Sequence, residues 1–434
     1  MSAGRGPALT RRALLQGALG LSSAALVSGL PTSAARADSG GDPTRQRQLQ
    51  ARLEALLTGD GNPRRAVPGA ALAVLRDGEV VVAAAAGHAR LDDADGHGAR
   101  PLTPLTPVRV ASISKLATAL TAASVAEEGL LDLDADLSGW LDFRLRNPAW
   151  PQAPITARQL LAHVGSLRDP AVYWMPAPGS IAELLTAEAF TAARPGLSFE
   201  YCNLGYGLVA TALENATGER FDRLARKRVL VPLGLADCGF NWSGVPPARR
   251  ETGGTLYRRD DTGRWQPQVD AATTLLGGRE PIILAEPGFA LPAYRPGRNG
   301  TLFSPQGGLR AGVIDIARLA QAFAPGGPGE ALARPVGPSR WPDASTADLW
   351  GTGPQLLPAR AHGHREAPDL IGHPGQALGF FGGAWVSAEG RDAIGYFVTG
   401  HDPQAELARQ PATGLTHWES TLLAIALEIR GAAG

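Results

Sequence analysis

Lysine is almost absent from this chain. Of the 41 basic residues among its 434, only Lys115 and Lys227 are lysines, and arginine fills every other basic position. Arginine stays charged at any working pH, whereas burial can drive a lysine neutral. A lysine retained against this bias at position 115, three residues after Ser112, therefore indicates a place that needs an amine able to lose its proton.

The chain also has few cysteines, no net charge and no cluster of metal-ligating residues in its sequence. Two cysteines, Cys202 and Cys238, are too few for a disulfide framework, and the sequence leaves open whether they pair. The 41 basic residues balance 41 acidic ones, so we expect no nucleic-acid partner. His362 and His364 lack neighbouring carboxylates or cysteines, and no phosphate loop, dinucleotide fingerprint or Gly-x-Ser-x-Gly elbow is present. We therefore predict neither a metal nor a cofactor, and no α/β-hydrolase fold.

A moderately apolar stretch lies near the N-terminus, and polar residues interrupt it. Paired arginines at 11–12 precede a stretch diluted by Gly and Ser, which ends in an Ala-Arg-Ala cleavage pattern. A membrane anchor is the alternative, which the dilution disfavours. We predict a twin-arginine-type signal peptide over 1–37 and a single unit over 38–434. The mature protein is then expected to be periplasmic or extracellular, without stable membrane insertion.

Strand patterns occur at both ends of the remaining chain, and helical patterns dominate between them. The pair Asp77-Gly78 between two apolar runs predicts a hairpin, and Glu389-Gly390 joins another two predicted strands. Helical spacing precedes the first pair of strands and follows the second. We therefore predict an α+β fold. Its antiparallel sheet layer comes from about 44–106 and 369–434, flanked by terminal helices, with a mainly helical and loop region over about 107–368.

Ser112 and Lys115 lie at the start of a predicted helix that ends at Gly129. Residues three apart share a helix face, so the two side chains can meet. The helix N-terminus and burial both disfavour an ammonium, and a neutral lysine beside a serine hydroxyl is a general base beside a nucleophile. The Ser-x-x-Lys pattern is a weak signal by itself, because a helix-capping serine next to an exposed lysine has the same letters.

Two further motifs strengthen that signal. A Tyr-Cys-Asn run at 201–203 precedes a predicted helix, and a His-Pro-Gly run at 373–375 stands just before a predicted strand. Ser-x-x-Lys, Tyr-x-Asn and His-x-Gly in this order resemble the serine β-lactamase and DD-peptidase superfamily, in its class C and penicillin-binding-protein-like branch. The segments LLAHVGSLRD, FSPQGGLRAGVIDIARLAQAF and AASVAEEGLLDLDADLSGWL are similar to that branch too. The resemblance implies a β-lactamase/transpeptidase-like fold.

The resemblance also implies roles for the first two motifs. Ser112 would attack a carbonyl and become acylated, and Lys115 would take its proton or tune its neighbours. Tyr201 would relay a proton toward the leaving group as a partly ionised phenol, and Asn203 would hydrogen-bond the substrate or Lys115. Whether Lys115 or Tyr201 is the general base stays open. His163 in LLAHVGSLRD is expected to satisfy a buried hydrogen bond rather than to act on substrate.

For the third motif the resemblance implies substrate contacts. His373 would belong to the catalytic group, where many family members carry a lysine, and its side chain would titrate near 6.5 if unperturbed. Gly375 would let the strand backbone approach the substrate. The backbone N–H groups of Ser112 and Gln376 would form the oxyanion hole.

The middle residue of the third motif departs from the family pattern. The family usually has Thr or Ser there, and its hydroxyl helps to bind a substrate carboxylate, whereas Pro374 has neither hydroxyl nor N–H. A hydrogen bond to a charged group contributes about 1.5–3 kcal/mol. We therefore expect weaker binding of carboxylate substrates, and a shift toward esters, amides or lactones, unless Arg310, Arg360 or Arg365 compensates.

These observations lead to one preferred function and two alternatives. We expect an exported serine hydrolase with an acyl-serine intermediate, acting on an amide or ester as a D-alanyl-D-alanine carboxypeptidase-like enzyme or an esterase. The alternatives are a β-lactamase and a non-catalytic penicillin or peptidoglycan sensor on the same fold. The expected partner is a small-molecule or peptidoglycan-type substrate, and the oligomeric state is open.

Overall fold

The computed structural model describes residues 43–92, 98–268, 289–337, 349–362, 367–405, 409 and 413–431. The predicted signal peptide, His364 and Arg365 lie outside these ranges. Within them, no helix is both long and apolar enough to cross a membrane. Cys202 and Cys238 are buried free thiols, so they do not pair with each other.

The described elements follow in chain order. The helices are α1 Pro43–Leu57, α2 Ser114–Glu127, α3 Ala157–Leu161, α4 Leu204–Thr217, α5 Phe221–Ala225, α6 Pro247–Glu251, α7 Val313–Gln321, α8 Ala359–His362 and α9 His417–Gly431. The strands are β1 Gly69–Arg76, β2 Glu79–Arg90, β3 Arg100–Pro101, β4 Val108–Arg109, β5 Gly239–Phe240, β6 Tyr257–Arg259, β7 Trp265–Pro267, β8 Leu309–Ala311, β9 Gln355–Leu357, β10 Leu370–Ala377, β11 Phe380–Ser387, β12 Asp392–Val398 and β13 Gly400–His401.

Strands from both ends of the described chain form one antiparallel sheet. Its order is β3-β2-β1-β12-β11-β10-β9, so the N-terminal and C-terminal strands meet where β1 pairs with β12. The first hairpin turns at Asp77 and Gly78, whose φ angles of 51° and 85° suit a type I′ turn. The predicted α+β fold, with an antiparallel sheet built from both ends and a mainly helical region between, is confirmed.

Helices cover both faces of this sheet. Alternate residues of β1 point to opposite faces, as the period of a strand requires. Ala71, Ala73 and Leu75 join the larger core, which also contains residues of α2, α4 and α7. The other face packs against α1 and α9, and its β1 members are Ala70, Leu72 and Val74. The sheet therefore holds α2, which follows Ser112, on its larger-core side.

The third motif stands just before the predicted strand, which is β11, but it also lies inside a strand of its own, β10, which was not predicted. His373 pairs with Ala384 in the β10–β11 hairpin, whose turn comes only at Leu378 and Gly379. β9 pairs with β10 only as far as Gly372. Beyond Gly372 this edge of β10 pairs with no strand among the described residues, so it tolerates a proline, and it contacts the region of Ser112.

Candidate active site

A short 3-10 turn brings Ser112 to the start of α2. Ala111 has a φ of 48°, a strained conformation for a residue other than glycine. The Ser114 hydroxyl holds this turn by donating to the Ala111 carbonyl at 2.6 Å and accepting from the Leu309 N–H at 3.0 Å. These two bonds, of which the second comes from β8, fix the backbone on both sides of the nucleophile candidate.

Lys115 is wholly buried and lies against Ser112. Its Nζ is 3.1 Å from Ser112 Oγ, 2.7 Å from Asn203 Oδ1 and 3.2 Å from the Gln306 carbonyl oxygen. Burial lowers the pKa of Lys115 to about 7, although the negative charge of Asp169 opposes the shift. A large fraction of the amine is therefore neutral near pH 7 and can accept a proton from Ser112.

Tyr201 stands beside the same pair. A hydrogen bond joins its hydroxyl to the Ser112 side chain, and Lys115 Nζ lies 4.8 Å from its ring centroid. Burial raises the pKa of Tyr201 above its usual value, and the bond to Ser112 offsets only part of that rise. The structure thus favours a neutral phenol over the partly ionised one that we expected, because burial outweighs the hydrogen bond to Ser112 and the positive charge of Arg409.

Asn203 bonds Lys115, and Asp169 holds it in place. Asp169 Oδ1 accepts from the backbone N–H groups of Asn203 and Leu204 at 2.7 and 2.9 Å, and Oδ2 accepts from Asn203 Nδ2 at 2.7 Å. The amide is therefore oriented with Oδ1 toward Lys115. Asp169 was not predicted as a site residue, although it is the last residue of LLAHVGSLRD, because it caps α4 from a distant segment.

His163 has the structural role that the sequence predicted. Its Nδ1 accepts from the backbone N–H of Cys202 at 3.1 Å, and burial lowers its pKa well below the usual value. Its ring stacks on Tyr201, with centroids 4.3 Å apart and 26° between the planes. His163 therefore fixes the plane of the Tyr201 ring.

His373 is wholly buried in β10 beside Trp350, with ring centroids 4.9 Å apart. Its Nδ1 donates to the Pro374 carbonyl at 2.5 Å, which leaves Nε2 as the acceptor of a neutral ring. Among the described residues Nε2 has no hydrogen-bond partner. Burial, together with the Lys115 charge, lowers the pKa of His373 well below 6.5. His373 is therefore perturbed, and the pKa of 6.5 that an unperturbed histidine has does not apply to it.

Gly375 brings β10 against the turn that carries Ser112. A Cβ at this position would lie 2.7 Å from the Val110 carbonyl oxygen and 3.1 Å from Ile113 Cγ1. The glycine is thus explained by close packing on the nucleophile turn. Gln376 follows it and lines the same cavity as Ser112.

A cavity of about 350 Å³ opens in front of these groups. Aromatic rings form one wall, where Phe199 and Trp350 stack with centroids 5.8 Å apart. The complete lining is Ser112, Phe199, Tyr201, Trp350, Gln355, His373, Pro374, Gln376, Arg409, Thr413 and Gly414. In the part of the chain that the structure describes, no three His, Cys, Asp or Glu side chains form a group able to hold a metal ion.

A protein-family model matches most of the chain, and this match agrees with the order of the three motifs and with the geometry of the site. The family model described as Beta-lactamase matches residues 45–416. The chain belongs to the β-lactamase family.

Its solved structural neighbours share the fold. The octameric penicillin-binding protein homologue from Pyrococcus abyssi has a TM-score of 0.63 at 21% identity, over 88% of this chain and 77% of the other. The D-amino acid amidase from Ochrobactrum anthropi, complexed with L-phenylalanine amide, has a TM-score of 0.62 at 18% identity, over 90% and 98%.

Two curated relatives are similar in sequence over shorter stretches. Esterase EstB from Burkholderia gladioli is 30% identical over 213 residues, which are 44% of this chain and 52% of that protein. The D-alanyl-D-alanine-carboxypeptidase/endopeptidase AmpH from Escherichia coli K12 is 30% identical over 168 residues, which are 33% and 43%. The chain thus spans about half the length of the curated relatives it matches.

Arg409, which was not predicted as a site residue, lines the cavity of this β-lactamase family member. Arg409 donates to Gln376 Oε1 and, at 3.0 Å, to the Gly414 carbonyl. Arg310 is instead buried outside the lining, 5.6 Å from the Trp242 ring, and Arg360 lies on α8 away from it. Among the arginines that the structure describes, Arg409 is the candidate in the cavity lining that could replace the hydroxyl missing at Pro374.

Proposed function

We propose that this protein is an exported serine hydrolase that forms an acyl-enzyme at Ser112 from an ester or amide. The observation that carries the proposal is the buried Lys115 amine, 3.1 Å from Ser112 Oγ and with its pKa lowered to about 7. A neutral amine at this distance is within reach of the hydroxyl proton. Arginine could not replace it, which explains why this position keeps one of the two lysines.

The chemistry then takes two steps. Neutral Lys115 accepts the Ser112 proton as Oγ bonds to the substrate carbonyl, and the Ser112 and Gln376 N–H groups receive the oxyanion. The intermediate collapses, the bond to the leaving group breaks, and the proton passes from the Lys115 ammonium through the Tyr201 hydroxyl to that group. In the second step Lys115 takes a proton from water, the hydroxide oxygen attacks the ester, and Ser112 recovers its proton as the acid leaves.

The substrate proposed is an ester or amide with an apolar or aromatic group near the scissile bond. The rings of Phe199 and Trp350 give the cavity an apolar wall, which favours such a group. The names of the relatives, an esterase and a D-alanyl-D-alanine carboxypeptidase, support the same two bond types. A neutral His373 and Pro374 provide less for a fixed carboxylate than a lysine and a threonine would.

β-Lactam hydrolysis is the second candidate, and Arg409 favours it. Its guanidinium lines the cavity and offers a charged donor to the carboxylate of a penicillin. A binding sensor would use the same contacts without fast hydrolysis of the acyl-enzyme.

Three substrates separate these possibilities: 4-nitrophenyl butyrate, an N-acyl-D-alanyl-D-alanine and benzylpenicillin. We expect Ser112-dependent hydrolysis of the ester or the peptide, with kcat/KM for benzylpenicillin at least tenfold lower. Faster turnover of benzylpenicillin would make the protein a β-lactamase. Equal rates in wild type and S112A would refute the acyl-serine proposal.

Export is a separate proposal that rests on the paired arginines at 11–12. Replacing both by lysine should retain the unprocessed protein in the cytoplasm of a host with twin-arginine export. Unchanged cleavage and fractionation would contradict it.

A further inference from the structure

A short turn fixes the aromatic wall of the cavity in place. Trp350 stands at the start of this turn, just before β9. The hydroxyl of Thr352 accepts from Arg158 Nη1 at 3.1 Å, and a Cβ on Gly353 would lie 2.4 Å from Ala119 Cβ. Because Ala119 belongs to α2, the turn packs directly on the helix that begins next to the nucleophile.

Trp350 itself is almost wholly buried, although it lines the cavity. Its ring stacks on Phe199, with 5.8 Å between the centroids and 23° between the planes. Edge-on contacts join it to His163 and His373, at centroid distances of 5.0 and 4.9 Å. Close packing of this kind leaves the indole little freedom, so it forms a rigid surface of the cavity.

Tyr201 indicates which part of the substrate meets this surface. Its hydroxyl bonds the Ser112 side chain, and the proposed mechanism passes a proton through that hydroxyl to the leaving group. The leaving oxygen must then lie within hydrogen-bond distance of Tyr201, and its substituent must lie beside the same ring. The Trp350 centroid is 5.9 Å from that of Tyr201, and both rings line the cavity. The substituent on the leaving oxygen is therefore the part of the substrate that contacts Trp350.

The side chains of Phe199, Tyr201, Trp350 and His373 form an uncharged surface at neutral pH. Burial keeps the Tyr201 phenol and the His373 imidazole neutral, because it raises the pKa of the first and lowers the pKa of the second. An uncharged aryl group packs well on aromatic rings. A charged group would lose hydration there and would gain no partner of opposite charge from these four side chains.

We propose that Trp350 is a specificity-determining residue that contacts the leaving group, so that the enzyme prefers esters of phenols. The inference rests on the proposed function and adds the class of leaving group to it. In the reaction, a bond forms between Ser112 Oγ and the acyl carbon, and the bond from that carbon to the aryl oxygen breaks. The proton from Ser112 reaches the aryl oxygen through Lys115 and Tyr201, and the phenol departs from the surface of Trp350.

Three esters separate the leaving-group side of the cavity from the acyl side. Trifluoroethyl acetate has no aromatic group, phenyl acetate has one on the leaving oxygen, and trifluoroethyl hydrocinnamate has one on the acyl group. The leaving-group ratio is kcat/KM for phenyl acetate divided by kcat/KM for trifluoroethyl acetate. The acyl ratio is the same quotient for trifluoroethyl hydrocinnamate. Differences in chemical reactivity between the esters cancel when a variant's ratio is compared with the wild-type ratio.

Trp350→Ala should lower the leaving-group ratio about tenfold, as the loss of one buried aromatic contact implies. The acyl ratio should stay within about twofold of wild type, as expected for parts of the substrate that do not share a contact. Trp350→Phe keeps a ring in this place and should retain most of the preference. A misplaced Tyr201 alone would slow all three esters equally and leave both ratios unchanged, so the ratios distinguish a contact with substrate from a structural role.

Trp242 provides a matched control. It is 3% exposed, compared with 5% for Trp350, and it lies outside the cavity lining, with its ring 5.6 Å from the Arg310 guanidinium. W242A removes the same side chain from a similarly buried place, and it should leave both ratios as in wild type.

Every other outcome overturns a defined claim. Unchanged ratios in W350A, or an equal fall in W242A, overturn the role of Trp350 alone. A fall of the acyl ratio in place of the leaving-group ratio puts Trp350 on the acyl side and overturns the class of leaving group. Hydrolysis of all three esters by S112A at the wild-type rate overturns the acyl-serine function and the inference with it.

Discussion

Replacing Lys115 by methionine removes the amine and keeps an unbranched side chain in the same buried place. With a pKa of about 7 instead of 10.5, about half of the amine is neutral at pH 7, compared with about one part in 3,000 for a lysine at 10.5. A positioned general base contributes about 10²–10⁴-fold. We therefore expect kcat/KM for an aryl ester to fall about 10³-fold. The free energy of unfolding should not fall, because methionine removes a buried amine.

The pH profile of the wild type gives the same prediction a second readout. The pKa of Lys115 is lowered, so the amine is protonated and inactive below about pH 7 and neutral above it. The kcat/KM value should rise through about pH 7 and then level off. Lys115→Arg stays charged and should be inactive at every pH. Stopped-flow ester hydrolysis from pH 5.5 to 9 measures both. A methionine variant within tenfold of wild type, or a flat wild-type profile, would refute a basic role for Lys115.

Other residues of the site give predictions of different kinds. Tyr201→Phe removes only the hydroxyl, so we expect kcat for the aryl ester to fall about 10²-fold. The far-ultraviolet circular dichroism should stay unchanged. A kcat within twofold of wild type would exclude a proton relay. Asp169→Ala removes the acceptor of two backbone N–H groups and the Asn203 amide, so urea unfolding should show a loss of about 2–4 kcal/mol; wild-type stability would contradict this. Gly375→Ala places a Cβ 2.7 Å from the Val110 oxygen, so β10 must shift. We expect kcat for the aryl ester to fall more than tenfold. An unchanged kcat would mean that the turn adapts.

Local sequence patterns were sufficient to predict those parts of the fold and of the site in which the contacting residues are close in sequence. Ser112 and Lys115 meet because residues three apart share a helix face. The first hairpin followed from Asp77-Gly78, whose backbone angles are a property of the turn itself.

The contacts that complete the site join distant segments, and no spacing reveals them. Asp169 caps a helix that begins 35 residues later, and Glu419 reaches Gln376 from 43 residues away. Arg409 was hidden by composition, because nothing in the sequence distinguishes it from the many other arginines. The capping contact of Glu419 with Thr416 was not predicted, and its further contact with Gln376 depends on how α9 packs against β10.

Burial changes the chemistry of two site residues from what the motifs imply. The resemblance implied a partly ionised Tyr201, and the value of 6.5 for His373 held only for an unperturbed side chain. Burial dominates both in the structure, raising the pKa of Tyr201 and lowering that of His373. The degree of burial is set by the whole fold, and the motifs do not contain it.

The central claim is that Ser112 becomes acylated, and intact mass spectrometry tests it most directly. Wild-type and S112A proteins are mixed with 4-nitrophenyl butyrate and quenched in acid within the first turnover, and their intact masses are then measured. We predict that the wild type gains the mass of one butyryl group and that S112A gains none. An unmodified wild type that still releases nitrophenol in a burst, or the same adduct on S112A, would contradict the account.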